Sequence, residues 1–185
     1  SGQPMNYISP QWRCMPKPMK KVYVVEDQQI LREFVTRLIE DKPMLTLIGA
    51  SGDGQEALRE CLKLRPDIIV LDVFLPGLNG VDILRRLKRD IPGVNVLGFS
   101  AFPDGIIVKN MVEAGADGLV RKSESLAVLD QALDQVAAGQ TFFSPDVVGM
   151  LRQMMLHPDR ATSVDDLSSR EREIVQLVAE GKSNK

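Results

Sequence analysis

The sequence predicts an α/β fold in which five parallel strands form a doubly wound sheet with helices on both faces. Between residues 19 and 140, short apolar runs alternate five times with segments of helical period. Several of these runs are apolar throughout, as expected for strands that are buried on both faces. Strands that alternate with helices favour a parallel sheet covered by helices.

The predicted strands are KVYVV (21–25), MLTLIGAS (44–51), DIIVLDVFL (67–75), VNVLGFS (94–100) and DGLVRK (117–122). A helix follows each strand. The first is QQILREFVTRLIED (28–41), whose apolar residues at helical spacing begin with Ile30. The second has Asp53 as its predicted N-cap with Glu56 three residues on, and the third is NGVDILRRLKRD (79–90). The apolar faces of the last two helices are predicted to contain Ile106, Ile107, Met111 and Val112, and Leu126, Leu129, Leu133 and Val136.

The chain divides into four predicted segments. Residues 1–18 form an irregular N-terminal extension, and residues 19–140 form the α/β domain. Residues 141–166 are expected to be a linker that contains an amphipathic helix beginning at Ser144 and Pro145. The apolar stripe of that helix is expected to pack within the chain. Residues 167–185 form a further, incomplete segment.

Composition excludes several classes of protein. No run approaches the ~18 apolar residues of a membrane span and no signal peptide is recognisable, so we expect a cytoplasmic protein without a membrane contact. Cys14 lies in the irregular extension and Cys61 on a predicted helix, which argues against a disulfide framework or a zinc site. With a net charge of −2, the chain lacks the basic character of a nucleic-acid-binding protein.

Polar side chains follow four of the predicted strands where ligands bind in such folds, at the carboxyl ends. Glu26 and Asp27 follow the first strand, Asp72 lies in the third, Ser100 ends the fourth and Lys122 ends the fifth. Carboxylates suit Mg²⁺, and an ammonium and a hydroxyl suit phosphate oxygens. The pattern predicts a site for Mg²⁺ and a phosphoryl group, with Asp72 as a possible nucleophile.

These residues occur in motifs that resemble the receiver domain of response regulators, which has a flavodoxin-like fold. The motifs are VVEDQQ, LDVFLPGLNG, SA after the fourth strand and GADGLVRKS. The resemblance implies that a sensor histidine kinase phosphorylates Asp72. It also implies that Asp27, Asp72 and the Phe74 carbonyl bind Mg²⁺, that Glu26 acts through water, and that Ser100 and Lys122 contact the phosphoryl group.

A phosphatase of the haloacid dehalogenase type is the competing interpretation of an aspartate nucleophile at this position. Such enzymes carry a second aspartate two residues after the nucleophile, whereas Phe74 occupies that position here. The general acid is therefore missing. We expect no enzyme activity other than the domain's own phosphotransfer and slow dephosphorylation.

Several positions depart from the receiver pattern. Leu119 replaces a frequent aromatic residue, so an aromatic rotamer switch is not expected, and Ser123 replaces a frequent proline. Phe74 and Phe102 lie two residues after Asp72 and Ser100, where side chains of this family flank the phosphoryl group. Two phenyl rings there would exclude water, which predicts slow autodephosphorylation. The alternative is that one or both rings pack elsewhere.

The segment LSSREREIVQLVAEGKSNK (167–185) resembles the opening of a LuxR-type helix-turn-helix. Together with the receiver motifs, it indicates the NarL/FixJ family of response regulators. The second helix of such a motif reads DNA, so DNA binding is expected only through a completed C-terminal domain. Residues 157–185 contain five basic and six acidic side chains, which makes phosphate attraction weak.

Two alternatives to a phosphorylation-controlled transcription regulator stay open. The receiver could act through protein contacts alone, with the C-terminal helix used for dimerisation, or it could be controlled without phosphate. A homodimer could form through the fourth helix and fifth strand, or through the first and fifth helices.

Overall fold

The strand–helix alternation expected from the sequence forms a parallel sheet with helices on both faces. The structure is a computed structural model that describes residues 19–101 and 105–156. The predictions for the N-terminal extension, Phe102 and residues 157–185 therefore lie outside the described residues. Within the described ranges, no helix combines the length and apolar character that a membrane crossing requires.

The elements in chain order are β1 (Lys20–Val25), α1 (Gln29–Glu40), β2 (Leu45–Ser51), α2 (Gly54–Leu64), β3 (Ile68–Asp72), β4 (Phe74–Leu75), β5 (Leu78–Asn79), α3 (Gly80–Asp90), β6 (Asn95–Ser100), α4 (Gly105–Glu113), β7 (Gly118–Arg121), α5 (Leu126–Ala137), β8 (Phe142–Phe143) and α6 (Pro145–Leu156). The main sheet has the order β2-β1-β3-β6-β7-β8, and β4 pairs with β5 in a separate hairpin. The strands of the main sheet are all parallel to their neighbours.

The core has two layers because successive side chains of each strand face opposite sides of the sheet. Val22 and Val24 pack in the layer beneath α1 and α5, whereas Tyr23 and Val25 pack in the layer beneath α2, α3, α4 and α6. Each fully buried Val, Leu or Ile contributes about 1.5–3 kcal/mol of transfer free energy. The sheet is therefore a rigid support for the residues at its carboxyl edge.

The prediction of five strands is wrong by one. Phe142 and Phe143 form a sixth strand that pairs with Gly118 and Leu119 of β7, and both phenyl rings are buried. From the sequence these residues are expected to lie in the linker, because a strand of two residues is too short to show a period. The edge of β7 is thus covered by the chain itself.

Helix α6 packs against α4, on the face of the sheet that α2 and α3 also cover. Val147 and Leu151 are 0% and 2% exposed and belong to the same core layer as α2, α3 and α4. The expectation that the apolar stripe of this helix packs within the chain is therefore confirmed for these two residues. Met154 and Met155, at the end of the stripe, are only partly buried.

Three residues predicted on apolar helix faces are exposed instead. The exposed fraction is 83% for Ile30, 63% for Ile106 and 57% for Leu126, and each lies near the start of its helix at the carboxyl edge of the sheet. The first helical turn projects beyond the sheet there, so the helical period continues while the packing partner ends. The predicted N-cap of α2 is confirmed, since the backbone N–H of Glu56 donates to the Asp53 carboxylate at 2.8 Å.

Candidate functional site

Four adjacent strands bring the predicted site residues to one edge of the sheet. Glu26 and Asp27 directly follow β1, Asp72 ends β3, Ser100 ends β6 and Lys122 directly follows β7. One oxygen from each of the three carboxylates lies within 4.8 Å of the others. Residues that are far apart in sequence therefore meet because the parallel strands all end at the same edge of the sheet, where ligands bind in such folds.

Lys122 is the centre of the site's electrostatics. Its Nζ lies 2.8 Å from Asp72 Oδ2, 2.9 Å from Glu26 Oε1 and 2.7 Å from Glu26 Oε2. The ammonium also lies 5.5 Å from the centroid of the Phe99 ring, within the range of a cation–π contact. The cluster contains this one ammonium and the carboxylates of Glu26, Asp27 and Asp72, which leaves a formal charge of −2.

The loop after Asp72 fixes the direction of that carboxylate. The backbone N–H of Phe74 donates to Asp72 Oδ1 at 2.9 Å, while Oδ2 faces Lys122. The loop continues into a hairpin that turns at Pro76 and Gly77, and Gly77 has a φ of +74°. Proline followed by a residue of positive φ is the pattern of a type II turn. The short hairpin thus holds the Phe74 N–H that orients the Asp72 carboxylate.

A close backbone approach closes this loop from its other end. A Cβ on Gly80 would lie 2.6 Å from the backbone of Val73, and the N–H of Gly80 donates to the Val73 carbonyl. No side chain larger than hydrogen fits there without moving the backbone next to Asp72. Helix α3 therefore begins directly against the residue that follows Asp72.

Burial perturbs the two enclosed carboxylates. Burial raises the pKa of Glu26 and the pKa of Asp72 above their ordinary values, and the ammonium of Lys122 opposes both shifts. A buried carboxylate that has lost its hydration interacts more strongly with any cation that reaches it. The energetic cost of burial at this site thus favours the arrival of additional positive charge.

The donor set fits a divalent cation that prefers oxygen. Glu26, Asp27 and Asp72 supply carboxylate oxygens, and Glu26 Oε2 has no hydrogen-bond partner in the described part of the chain, although the ammonium lies close to it. Asp27 is partly open to solvent, which provides access from one side. Mg²⁺ commonly binds one or two carboxylates and keeps several waters, which matches this half-open cluster.

Ser100 contributes a buried hydroxyl group. Its side chain is 0% exposed, and its Oγ has no hydrogen-bond partner among residues 19–101 and 105–156. Leaving such a group unpaired costs about 1–3 kcal/mol. The backbone N–H of Lys122 donates to the Ser100 carbonyl at 2.7 Å, so the two strand ends are held together.

The Phe74 side chain only partly shields the site. The ring is 46% exposed and lines a cavity of about 490 Å³ together with Asp27, Ile107 and Asn110. The predicted second ring, Phe102, lies outside the described residues. The hypothesis that these two rings shield the phosphoryl group from water therefore stays a prediction for both positions.

Sequence reasoning missed two residues of the site. Phe99 reads as an ordinary strand residue, and only the sheet shows its ring beneath the ammonium of Lys122. Arg32 reads as part of the solvated face of α1, yet its Nη1 donates to the backbone carbonyls of Glu26 and Asp27. Arg32 is the fourth residue of α1, so its reach back to these two carbonyls depends on where the helix begins.

Known proteins match this chain in sequence and in fold. The family described as "Response regulator receiver domain" matches residues 22–134, which is more than half of the chain. The chain belongs to the response regulators, with its receiver domain in this stretch. Burial of the acidic site at the carboxyl edge of a parallel sheet is consistent with that assignment.

The curated relatives are response regulators as well. Response regulator GacA of Pseudomonas aeruginosa is 32% identical over 162 residues, covering 87% of this chain and 76% of GacA. Response regulator protein VraR of Staphylococcus aureus is 29% identical over 164 residues, covering 89% of this chain and 78% of VraR. The similarity therefore extends beyond the receiver domain in both cases.

A solved structure also resembles the chain in fold and sequence. The LuxR-family two-component response regulator from Aurantimonas sp. SI85-9A1 superposes with a TM-score of 0.71 and 31% identity, covering 75% of this chain and 99% of that protein. Salmonella enterica RcsB bound to a promoter superposes with a TM-score of 0.70 at 21% identity, covering 88% of this chain and 78% of RcsB. The second likeness shows the fold alone.

Proposed function

We propose that Asp72 accepts a phosphoryl group from a sensor histidine kinase in a Mg²⁺-dependent reaction that takes place in the cytoplasm. One observation carries this proposal: Lys122 lies 2.8 Å from Asp72 Oδ2 while also contacting Glu26. A shared, buried ammonium is suited to moving from a carboxylate to an incoming phosphoryl group. Asp27, Asp72 and the Phe74 carbonyl would hold the cation, and Glu26 would act through water.

The chemistry follows from what each residue carries. A carboxylate oxygen of Asp72 attacks phosphorus and the P–N bond of the phosphohistidine breaks. The departing imidazole nitrogen keeps the electron pair of that bond and takes a proton from water. Bound Mg²⁺ supplies positive charge that neutralises the transferring group. Lys122 pairs with the phosphoryl oxygens, and the Ser100 hydroxyl donates to one of them.

The products of this step bias the receiver between two states. The Ser100 hydroxyl is buried and has no hydrogen-bond partner among the described residues, so a phosphoryl oxygen would satisfy it and draw the end of β6 toward Asp72. Lys122 would follow, because its backbone N–H is bonded to the Ser100 carbonyl. Apart from this phosphotransfer and a slow dephosphorylation, we propose no enzyme activity.

We further propose that the output is control of transcription through a completed LuxR-type helix-turn-helix domain. The motif at 167–185 and the names of the relatives support this proposal, since the Aurantimonas protein is a LuxR-family regulator and RcsB has been solved on a promoter. RcsB has also been solved as dimers bound to DNA, which supports a homodimer as the acting form. DNA contact would require the whole output domain.

The test of the site is phosphorylation of the purified chain with acetyl phosphate and Mg²⁺, followed on a phosphate-affinity gel. We expect a shifted band for the wild type and none for Asp72→Ala, while Asp82→Ala, which changes an exposed aspartate outside the site, should behave as wild type. Phosphorylation that survives Asp72→Ala would refute the site. Beryllium fluoride, a phosphoryl mimic, should bind the wild type, and its failure to bind would favour a phosphate-independent regulator.

A further inference from the structure

A guanidinium group lies behind the acidic pair of the candidate metal site. Nη1 of Arg32, on α1, donates to the backbone carbonyl of Glu26 at 2.7 Å and to that of Asp27 at 3.2 Å. Both bonds lie on the backbone, so the Glu26 and Asp27 carboxylates stay available for a cation. The contact therefore holds the backbone of the two residues and leaves their carboxylates free of Arg32.

The neighbouring loop leaves room for this guanidinium. A Cβ on Gly52, which follows β2, would lie 2.8 Å from Arg32 Nη1 and 3.4 Å from both the Glu26 carbonyl oxygen and the Asp27 Cα. Only the first of these distances is shorter than real Cβ contacts allow. The absence of a side chain at residue 52 thus makes space specifically for the tip of Arg32.

Further bonds show how the acidic turn depends on its backbone. The N–H of Glu26 donates to the Ser51 carbonyl, and the N–H of Gln28 donates to Glu26 Oε1 at 3.2 Å. The turn is therefore held by β2 on one side and by the start of α1 on the other. Between these two contacts, Arg32 Nη1 donates to the consecutive carbonyls of Glu26 and Asp27. One planar group thus fixes the orientation of two peptide units.

We propose that Arg32 is a positioning residue for the divalent cation, acting through the backbone of Glu26 and Asp27. The inference rests on the metal site of the proposed function. Groups that orient metal ligands without touching the metal typically change metal affinity by about 10–100-fold when they are removed. A carboxylate displaced by half an ångström no longer meets the near-octahedral demands of Mg²⁺.

Three variants of the full chain separate positioning from charge and from folding. Arg32→Ala removes the guanidinium, and Arg32→Lys keeps the charge but replaces the planar Nη1 group, whose two N–H directions are fixed, by a shorter and freely rotating ammonium. Gly52→Ala leaves Arg32 unchanged and displaces its tip, which is the flexible end of a long side chain. Arg37→Ala is the matched control, because it removes the same charge from an exposed position on the same helix.

The readouts are Mg²⁺ affinity by isothermal titration calorimetry and the Mg²⁺ dependence of phosphorylation by acetyl phosphate. We expect the Kd for Mg²⁺ to rise about tenfold in Arg32→Ala, and by less in Arg32→Lys and Gly52→Ala, with no change in Arg37→Ala. The Mg²⁺ concentration for half-maximal phosphorylation should rise in parallel, while the rate at saturating Mg²⁺ is kept. Melting temperatures measured without Mg²⁺ report any purely structural effect.

The outcomes distinguish this inference from the proposed function. If the wild type binds no Mg²⁺, the metal site of the proposed function is wrong. If the wild type binds Mg²⁺ and both Arg32→Ala and Gly52→Ala bind it within twofold of wild type, the positioning role is wrong. If Arg32→Ala does not fold, Gly52→Ala decides alone, with weaker Mg²⁺ binding supporting the role and unchanged binding overturning it.

Discussion

Replacing Leu151 by alanine tests whether α6 belongs to the receiver core. Leu151 is 2% exposed and packs in the same layer as α2, α3 and α4. Truncation to alanine removes three carbons, which at about 0.8 kcal/mol per buried CH₂ amounts to roughly 2.4 kcal/mol of transfer free energy. The cavity that remains adds to this cost, so we expect a loss of about 3 kcal/mol in the free energy of unfolding.

The same helix offers a matched control. Leu156 ends α6 and is 60% exposed, so Leu156→Ala involves the same chemical change with little loss of packing. We expect this variant to stay within about 0.5 kcal/mol of wild type. The comparison cancels the small difference in helix propensity between leucine and alanine, since both substitutions carry it.

Urea denaturation followed by far-UV circular dichroism measures both variants. A loss of about 3 kcal/mol corresponds to a drop of roughly 6–12 °C in melting temperature for a domain of this size. Equal stabilities of Leu151→Ala and Leu156→Ala would refute the reasoning, because α6 would then be a linker helix that contributes nothing to the receiver core. A change in the denaturant slope would instead report a change in the surface exposed on unfolding.

Two further predictions concern water access and pH. Phe74→Asn, compared with Phe74→Leu, should shorten the half-life of phosphorylated Asp72 by about tenfold, because an amide can orient the attacking water; an unchanged half-life would contradict the shielding hypothesis. Lys42 contacts Asp130 and Asp134 at 2.8 and 2.6 Å. Although burial opposes the shift, these carboxylates raise the pKa of Lys42 above its ordinary value. The contact should therefore stabilise the fold by about 1 kcal/mol at neutral pH and be lost as the pH rises above about 10.5. Chemical denaturation of Lys42→Met and wild type across this range measures the difference, and a gap that persists at high pH would exclude the ion pairs as its cause.

The sheet was largely predictable because several of its strands are apolar throughout. A run such as IIVLD in β3 has few structural alternatives when turn residues bound it. The two-residue strand β8 was not predictable, since Phe142 and Phe143 show no period of their own. Their pairing with β7 depends on contacts with residues more than twenty positions earlier in the chain.

The candidate site was predictable as a set of residues but not as a set of contacts. Strand ends converge in any parallel sheet, so the positions of Asp72 and Lys122 follow from topology alone. The bonds from Arg32 to two backbone carbonyls depend on the exact start of α1, and helix boundaries are the least certain part of a sequence pattern. The exposure of Ile30 has the same origin, because it depends on where the helix extends past the sheet.

The end of β7 carries two cations that serve different partners. Arg121 reaches Asp146 on α6 at 3.1 Å, whereas Lys122 reaches Asp72 and Glu26. Neighbouring side chains of a strand point to opposite faces, so a slip of one residue in the pairing of β7 would exchange these two positions. The register of β7 against β6 is therefore under a strict constraint. A slip of a single residue in this pairing would misdirect both charges even if the sheet still formed.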